Sequence, residues 1–246
     1  MSGEVTLDGF LGGRLTIAQP KRGFRSGHDT VLLAAAVPAI AGARVLELGS
    51  GAGVAGLCLA ARVPGVDVLG IEIDPELVRL AAGNAARNAL PDRVRFACGD
   101  ALALSLPKVD HADGFDHVFF NPPFHPETGQ ESPNAAKTRA TLDKDAAVRG
   151  WTRAALASAK SGGTVTAILR ADRAQDMLAA AEGHGAVLIP LFPHAGEIPK
   201  RAIVQLMKDA ASGLRAASGL VLHEPDGRNT DAAEAVLRHG AELRLD

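Results

Sequence analysis

The chain has 246 residues and a formal net charge of −2, from 26 Lys and Arg residues against 28 Asp and Glu residues. This balance excludes a protein that binds nucleic acid through its overall charge, so such binding would need locally clustered basic residues. Hydrophobic residues make up 47% of the chain, and a single α/β domain can reach this length. We therefore expect one domain, with residues 1–42 as an N-terminal hairpin and helix and residues 43–246 as the main part.

Three further features argue against a secreted, membrane-spanning or zinc-binding protein. The N-terminus has no basic segment followed by an apolar core, and the longest apolar run, around Val31 to Val37, is too short to span a bilayer. Cys58 and Cys98 lie far apart in apolar stretches, which favours buried, reduced thiols and offers no tetrahedral zinc set. We expect a cytoplasmic protein that binds no metal.

The first elements predicted along the chain are a hairpin and a helix. Val5–Leu7 and Leu15–Ile17 flank a glycine-containing stretch, as the two strands of a small β-hairpin do. Ser26 or Asp29 can cap a helix that runs to about Val37, where the following proline ends it.

From residue 44 the pattern alternates between strand and helix, which predicts a parallel sheet with helices on both faces. The predicted strands are Arg44–Leu48, Val66–Ile73, Val94–Ala97, Phe115–Phe120 and Gly163–Leu169, and the predicted helices are Val54–Arg62, Pro75–Asn88, Ala146–Ala159 and Arg173–Glu182. Val187–Leu191 and Ala202–Met207 leave no room for a helix between them and predict an antiparallel pair. The predicted fold is α/β and Rossmann-like, with seven mostly parallel strands and an antiparallel last strand. The long polar stretch Glu127–Asp145 is expected to be a mobile loop over a site.

A glycine-rich turn follows the first of these strands. Glycines at 49, 51 and 53 stand between the strand and a helix, and Glu47 precedes the first of them by two. Glycine permits a tight turn and lets a ligand lie against bare backbone. This order resembles the acidic-x-Gly-x-Gly-x-Gly pattern of methyltransferases.

Two acids after the next two strands sharpen this prediction. Glu72 ends the second strand, where its carboxylate can accept hydrogen bonds from ribose hydroxyls, and Asp100 follows the third strand, within reach of an adenine amino group. The neighbouring Asp74 is predicted to be the N-cap of the helix that begins at Pro75. A dinucleotide-binding fold usually spaces its glycines as Gly-x-Gly-x-x-Gly, and it stays an alternative, as does a purely structural turn.

Asn121, Pro122, Pro123 and Phe124 follow a strand of apolar residues, and they are predicted to be catalytic. An amino group on an aromatic ring is a poor nucleophile because its lone pair is delocalised. The Asn121 side-chain oxygen and the Pro122 carbonyl can accept its two protons in hydrogen bonds, which turns the lone pair toward a methyl donor. Phe124 offers a face for a base to stack on. The alternative is a Pro-Pro turn that merely ends a strand.

With these motifs, the chain resembles the bacterial tRNA1(Val) adenine-N6 methyltransferases, which modify the adenosine just 3′ of the anticodon. The resemblance adds residues 19–34, with Gly23, Phe24, Arg25 and Asp29 in the family's order, and residues 220–230, which begin Leu-Val-Leu-His-Glu. Two positions depart from the family pattern. Many members carry Tyr at the place of Phe124, and this chain has no tyrosine; an aromatic is also usual at the place of Asn229.

The resemblance implies a class I methyltransferase fold, S-adenosylmethionine as the cofactor and RNA as the substrate. The predicted cofactor-binding residues are Arg25, Asp29, Glu47, Gly49, Ser50, Gly51, Gly53, Glu72, Ile73, Asp100, Ala101 and Asn121. The basic residues predicted to contact a tRNA anticodon loop are Lys21, Arg22, Lys137, Arg139, Lys200 and Arg201. Scattered solvated charge is the alternative for this second set, and His28 and His125 flank the site without an assigned role.

Three other functions remain open at this point. A protein glutamine amide is also a planar amine that an Asn-Pro-Pro enzyme could methylate, although such enzymes usually carry a separate helical domain ahead of the glycine turn. A small-molecule O-methyltransferase would more naturally use a metal or a His or Lys base. A catalytically dead RNA-binding module is disfavoured by an intact glycine turn together with an intact Asn-Pro-Pro-Phe.

Overall fold

The computed structural model of the chain describes residues 4–103, 113–123, 144–211 and 213–244, with the side chains of 144–147 left out. The strands are β1 Val5–Phe10, β2 Leu15–Pro20, β3 Arg44–Leu48, β4 Asp67–Glu72, β5 Val94–Cys98, β6 Phe115–Phe120, β7 Ala159–Arg170, β8 Gly185–His194, β9 Arg201–Met207, β10 Gly213–Ala216 and β11 Leu220–His223. The α-helices are α1 His28–Ala36, α2 Val54–Arg62, α3 Pro75–Arg87, α4 Lys144–Ser158, α5 Ala174–Ala180 and α6 Asp231–Leu237.

One sheet dominates the described part of the chain, and its central strand order is β5-β4-β3-β6-β7-β9-β8. Neighbouring strands are parallel except at β9, which is antiparallel to both β7 and β8. The predicted Rossmann-like sheet of seven strands with an antiparallel last strand is therefore confirmed. The sequence analysis missed β10 and β11, two short strands that pair in parallel with successive parts of β8.

Alternating side chains of the strands feed two separate cores, one on each face of the sheet. On β3, Val45 packs into a core with α1 and α2, while Leu46 packs into a core with α4 and α5. The central parallel strands are covered on both faces, which is why they are almost continuously apolar. Among the described residues, no helix is long and apolar enough to cross a membrane.

Two asparagines of α3 attach the N-terminal hairpin. The Asn84 side chain accepts from the Ala18 N–H at 2.8 Å and donates to the Ala18 carbonyl at 2.9 Å, and Asn88 makes the same pair of bonds to Thr16 at 2.9 Å each. Residues four positions apart lie on one face of a helix. Here Asn84 and Asn88 bond two residues of β2 that are two positions apart and therefore lie on one face of the strand. The buried Asn84 amide also donates to the Ala52 carbonyl of the glycine-rich turn at 3.0 Å, so the hairpin is bonded to that turn.

Two local predictions were wrong. Helix α1 begins at His28 with Gly27 as its N-cap and no side-chain capping bond; Asp29, one of the two predicted caps, instead pairs with Arg201 at 2.8 Å. Cys58 is buried as expected, but Cys98 is exposed at the end of β5. Phe124, His125, Lys137, Arg139 and residues 127–143 of the predicted loop lie outside the described residues.

Candidate active site at the carboxyl edge of the sheet

The predicted site residues follow the carboxyl ends of four adjacent parallel strands. The glycine turn follows β3, and residues 73–74, 99–101 and 121–123 follow β4, β5 and β6. In open parallel sheets this edge is where ligands bind. Leu48 of β3 pairs with Phe120 of β6, so the next residues of the two chains, Gly49 and Asn121, emerge side by side.

The glycine turn is held tightly against β4 and β5. The N–H groups of Gly49 and Ser50 both donate to the Ile71 carbonyl, at 2.8 and 3.0 Å. Gly53 has φ +81°, and a Cβ atom there would lie 2.5 Å from the Phe96 ring. The turn therefore needs glycine at 53 for both its conformation and its packing.

Ser50 belongs to this turn, and its side chain is buried. Its Cβ lies 2.8 Å from the position that a Cβ on Gly70 of β4 would take. Among the described residues, the buried Ser50 Oγ has no hydrogen-bond partner. The structure thus places the Ser50 side chain against the sheet, as packing for the turn.

Glu72 joins the end of β4 to the glycine turn. Its Oε2 accepts from the Gly51 N–H at 2.9 Å and its Oε1 accepts from the Asp74 N–H at 3.0 Å, while the residue is only 9% exposed. A carboxylate oxygen has more than one acceptor direction, so a group held in this way can also accept bonds from a diol. Asp74 caps α3 by accepting from the Glu76 N–H at 2.8 Å, as predicted.

Three residues continue the site beyond Glu72. Asp100 is exposed, and its Oδ1 accepts from the Leu102 N–H at 2.9 Å. Ile73 is 49% exposed, so it presents apolar surface next to Glu72, and Ala101 is buried behind Asp100. An exposed carboxylate beside an apolar surface suits a planar heterocycle that carries an amino group.

Replacing Glu72 with Ala should weaken binding of an adenosine-containing cofactor by roughly 1–3 kcal/mol, the range for loss of a partner to hydrogen-bonding groups. The variant also leaves the Gly51 N–H without its acceptor, so the turn itself should loosen. Calorimetric titration with S-adenosylhomocysteine measures the change. Glu182→Ala, at an exposed position after α5, is the matched control and should bind as the wild type does.

Glu47 lies under the turn and not on its open side. It is 5% exposed, and its Oε2 accepts from the Gly56 N–H in the first turn of α2 at 3.0 Å. Burial raises the pKa of this carboxyl to about 8, against the lowering effect of the Gly56 hydrogen bond, and nearby Glu72 raises it further. Glu47 thus positions the start of α2 and holds its proton at neutral pH.

The raised pKa of Glu47 predicts a pH-dependent stability. Between the ordinary value of 4.5 and the folded value of about 8, the folded state binds a proton that the unfolded state has released. The free energy of unfolding therefore falls as the pH rises through this window. The Tm of Glu47→Gln relative to wild type should increase from pH 5 to pH 8, measured by calorimetry, whereas that of Glu182→Gln should stay level. A constant Tm difference for Glu47→Gln would contradict a buried, protonated Glu47.

Asn121 presents an unpaired oxygen at this edge. Among the described residues, the buried Asn121 Oδ1 has no hydrogen-bond partner, a costly state for an amide that a donor from a ligand would relieve. Pro122 is buried and Pro123 is exposed, and both restrict the backbone that carries the Pro122 carbonyl. The site therefore offers a buried acceptor beside the glycine turn, followed by a backbone that two prolines restrict.

Trp151 of α4 is a contributor that the sequence analysis missed. Its ring lies 5.8 Å from the Phe120 ring, centroid to centroid, and a Cβ on Gly49 would come within 2.7 Å of it. It therefore supports both the glycine turn and the residue before Asn121. The only sequence signal was a single tryptophan in a helix after the long polar stretch, and that does not indicate what the ring contacts.

Arg25 and Asp29 are not joined to the glycine turn by any bond that the structure shows. Arg25 donates to Asp8 at 2.7 Å and to Thr6 at 2.8 Å, both on β1. Asp29 pairs with Arg201. Their roles in cofactor binding stay predictions, and the bonds observed fix the chain between the hairpin and α1.

The predicted basic contacts divide by their pairing. Lys21 pairs with Glu4 at 3.0 Å and Arg201 with Asp29 at 2.8 Å. Within the described part of the chain, Arg22 and Lys200 form no ion pair. His28 is exposed at the start of α1. Of the six predicted basic contacts, the described ones without an ion pair are thus Arg22 and Lys200.

Comparison with known proteins places these features in context. Residues 26–147 match the family model "Methyltransferase small domain". A protein of Porphyromonas gingivalis named tRNA1(Val) (adenine(37)-N6)-methyltransferase is 38% identical over 120 residues, which cover 47% of this chain and 47% of that protein. A protein of Dickeya chrysanthemi with the same name is 27% identical over 241 residues, 94% of this chain and 92% of its own length.

The chain thus spans about half the length of the first curated relatives that it matches, and nearly all of the Dickeya protein at lower identity. Among solved structures, a predicted O-methyltransferase from Agrobacterium tumefaciens has a TM-score of 0.71 at 24% identity, covering 87% of this chain and 98% of that one. At this identity the likeness shows the fold.

Proposed function

Since residues 26–147 match the methyltransferase small domain family model, we propose that the chain transfers a methyl group from S-adenosylmethionine to adenine N6 in a tRNA. The observation that carries this proposal is the Asn121 Oδ1 atom, which is buried and has no partner among the described residues. It emerges beside the glycine turn, at the edge of the sheet where ligands bind. The names of the relatives from Porphyromonas gingivalis and Dickeya chrysanthemi support the same substrate.

The residues at this edge fit S-adenosylmethionine. Glu72 would hold the ribose hydroxyls, Asp100 the adenine amino group, and Ile73 one face of the adenine. The glycine turn would offer bare backbone to the amino-acid part. When bound, S-adenosylmethionine supplies a methyl group on a positively charged sulfur, whose departure as a neutral thioether demands no strong base from the protein.

Asn121 and Pro122 would prepare the amine. The Asn121 side-chain oxygen and the Pro122 carbonyl accept hydrogen bonds from the two N–H groups of adenine N6, so the nitrogen moves toward tetrahedral geometry and its lone pair becomes available. The two prolines fix the Pro122 carbonyl before the substrate arrives, and the Asn121 oxygen is buried beside it without a partner to displace, which is the proposed source of their effect on the rate. Phe124, outside the described residues, would stack on the base as it follows directly.

The RNA would be held by basic residues around this edge. Arg22 and Lys200 are the unpaired candidates within the described residues, with Lys21 and Arg201 beside them and Lys137 and Arg139 outside the described part. An anticodon loop is already partly unstacked, so bringing a loop base to Asn121 requires less energy than extruding one from a duplex. We propose the cytoplasm as the location where the protein would meet such a substrate.

Methyl transfer to defined pools tests the proposal. The purified protein is incubated with radiolabelled S-adenosylmethionine and, separately, with total tRNA, a protein extract and a small-molecule extract. We expect label in tRNA, and nucleoside mass spectrometry should find N6-methyladenosine that is missing from tRNA of a deletion strain. Label in a protein glutamine or in a phenol, with unchanged tRNA nucleosides, would replace the proposal with the corresponding alternative.

A further inference from the structure

The segment 21–27, which we name the edge strap, lies at the same edge of the sheet as Asn121. Helix α3 starts at that edge, directly after β4, so Asn84 lies nearer to the edge than Asn88 does. Because Asn88 holds Thr16 and Asn84 holds Ala18, β2 runs toward the edge and the strap leaves it there.

The far end of the strap is fixed at the same edge. Helix α1 follows the strap, and its second residue, Asp29, pairs with Arg201. Arg201 begins β9, which is antiparallel to β7 and therefore starts where β7 ends. The strap is therefore a loop at the carboxyl edge, with β2 before it and the start of α1, which pairs with β9, after it.

Side-chain bonds hold the strap on both sides of Phe24. The buried Gln19 accepts from the Ser26 N–H at 2.8 Å, and Arg25 donates to the Pro20 carbonyl at 3.1 Å and to Asp8 at 2.7 Å. Gly23 has φ +96°, which permits the turn between these anchors. Even so, Phe24 is 67% exposed, so an anchored segment presents an aromatic ring to solvent.

Two basic residues precede this ring in the chain. Lys21 pairs with Glu4, whereas Arg22 is exposed and forms no ion pair with another described residue. Exposed aromatic rings next to unpaired cations are the recurring means of holding single-stranded nucleic acid, since the ring stacks on a base and the cation contacts the phosphate. The other large apolar side chains that are exposed among the described residues at this edge, Ile73, Leu102 and Ile198, have no ring face for stacking.

We propose that the Phe24 ring stacks on an unpaired RNA base next to the methylated adenosine, and that Arg22 contacts the phosphate of that base. This inference rests on the proposed function. It gives Phe24 a role separate from the one proposed for Phe124: Phe124, outside the described residues, would stack on the target base, whereas Phe24 binds a base outside the catalytic pocket.

Steady-state methylation of an anticodon stem-loop RNA by three Phe24 variants tests this role. Phe24→Ala should raise KM for the RNA roughly 5- to 150-fold, the range for loss of one stacked base, with little change in kcat. Phe24→Trp should retain wild-type KM. Phe24→Leu, which keeps apolar area but has no ring face, should resemble Ala. Ile40→Ala is the matched control, because Ile40 is 74% exposed and precedes β3 at the opposite edge.

Two further readouts separate the outcomes. Calorimetric titration of each variant with S-adenosylhomocysteine should give the wild-type Kd. If Phe24→Ala weakens this binding and leaves KM for the RNA unchanged, Phe24 covers the cofactor and the inference is wrong. If wild-type protein methylates the RNA and Phe24→Ala does so with the same KM, only the inference fails. If wild-type protein methylates no RNA, the proposed function fails with it.

Discussion

Asn121→Ala should lower the turnover of methyl transfer by about two orders of magnitude or more, while the affinity for S-adenosylmethionine changes less than about twofold. The Asn121 oxygen contributes most as the amine becomes tetrahedral, in the manner of a donor in an oxyanion hole, whose loss has an effect of this size. Single-turnover transfer to saturating tRNA measures the rate, and calorimetry measures the affinity.

A second variant at this position provides the control. Asn121→Asp keeps an acceptor oxygen at the same place, so it should lose less activity than Asn121→Ala does. Both variants should unfold at the wild-type Tm within a few degrees, because the Oδ1 atom has no partner among the described residues. Wild-type turnover in Asn121→Ala would show that this side chain is not part of the chemistry.

Gly53→Ala should reduce the free energy of unfolding by about 2–5 kcal/mol, the largest stability effect expected from a single methyl group in this site. The left-handed φ of +81° accounts for about 1–2 kcal/mol. The contact of 2.5 Å between the new Cβ and the Phe96 ring adds overpacking, which typically costs about 1–3 kcal/mol. Urea denaturation monitored by circular dichroism measures the sum.

Gly51 offers a matched control within the same turn. It also has a left-handed φ, +55°, but no heavy atom lies within 4 Å of a Cβ built there. Gly51→Ala should therefore show the conformational part alone, about 1–2 kcal/mol. Adding Phe96→Ala to Gly53→Ala should recover part of the clash but none of the conformational cost, so the effects of the two substitutions should not add. Equal losses for Gly51→Ala and Gly53→Ala would show that Phe96 moves aside freely.

Local sequence patterns were enough to predict the fold. The alternation of apolar strands and helices predicted the seven strands along the chain and an antiparallel last strand, and the structure confirms both. The placement of the glycine turn between β3 and α2, and of Asp74 as a cap, also follows from neighbouring residues. These features are readable because periodicity, turn conformation and capping depend on residues only a few positions apart.

Motif spacing identified the candidate site but not how its members are used. It correctly placed Glu47, Glu72 and Asn121 near the carboxyl edge of the sheet. It could not show that Glu47 turns under the loop toward Gly56, or that Glu72 already holds the Gly51 N–H. Both depend on how α2 and β4 pack against the turn, and that distance and direction are set by the assembled sheet.

The sequence by itself determined that this chain has a Rossmann-like fold, with a glycine turn, two acids and an Asn-Pro-Pro at one edge of its sheet. Only the tertiary structure decided that Arg25 pairs with Asp8, that Asp29 pairs with Arg201 from 172 residues away, and that Phe24 is left exposed between these anchors. The physical reason is distance along the chain. Folding brings residues that are far apart in sequence into contact, whereas a motif contains information only about residues that are close in sequence.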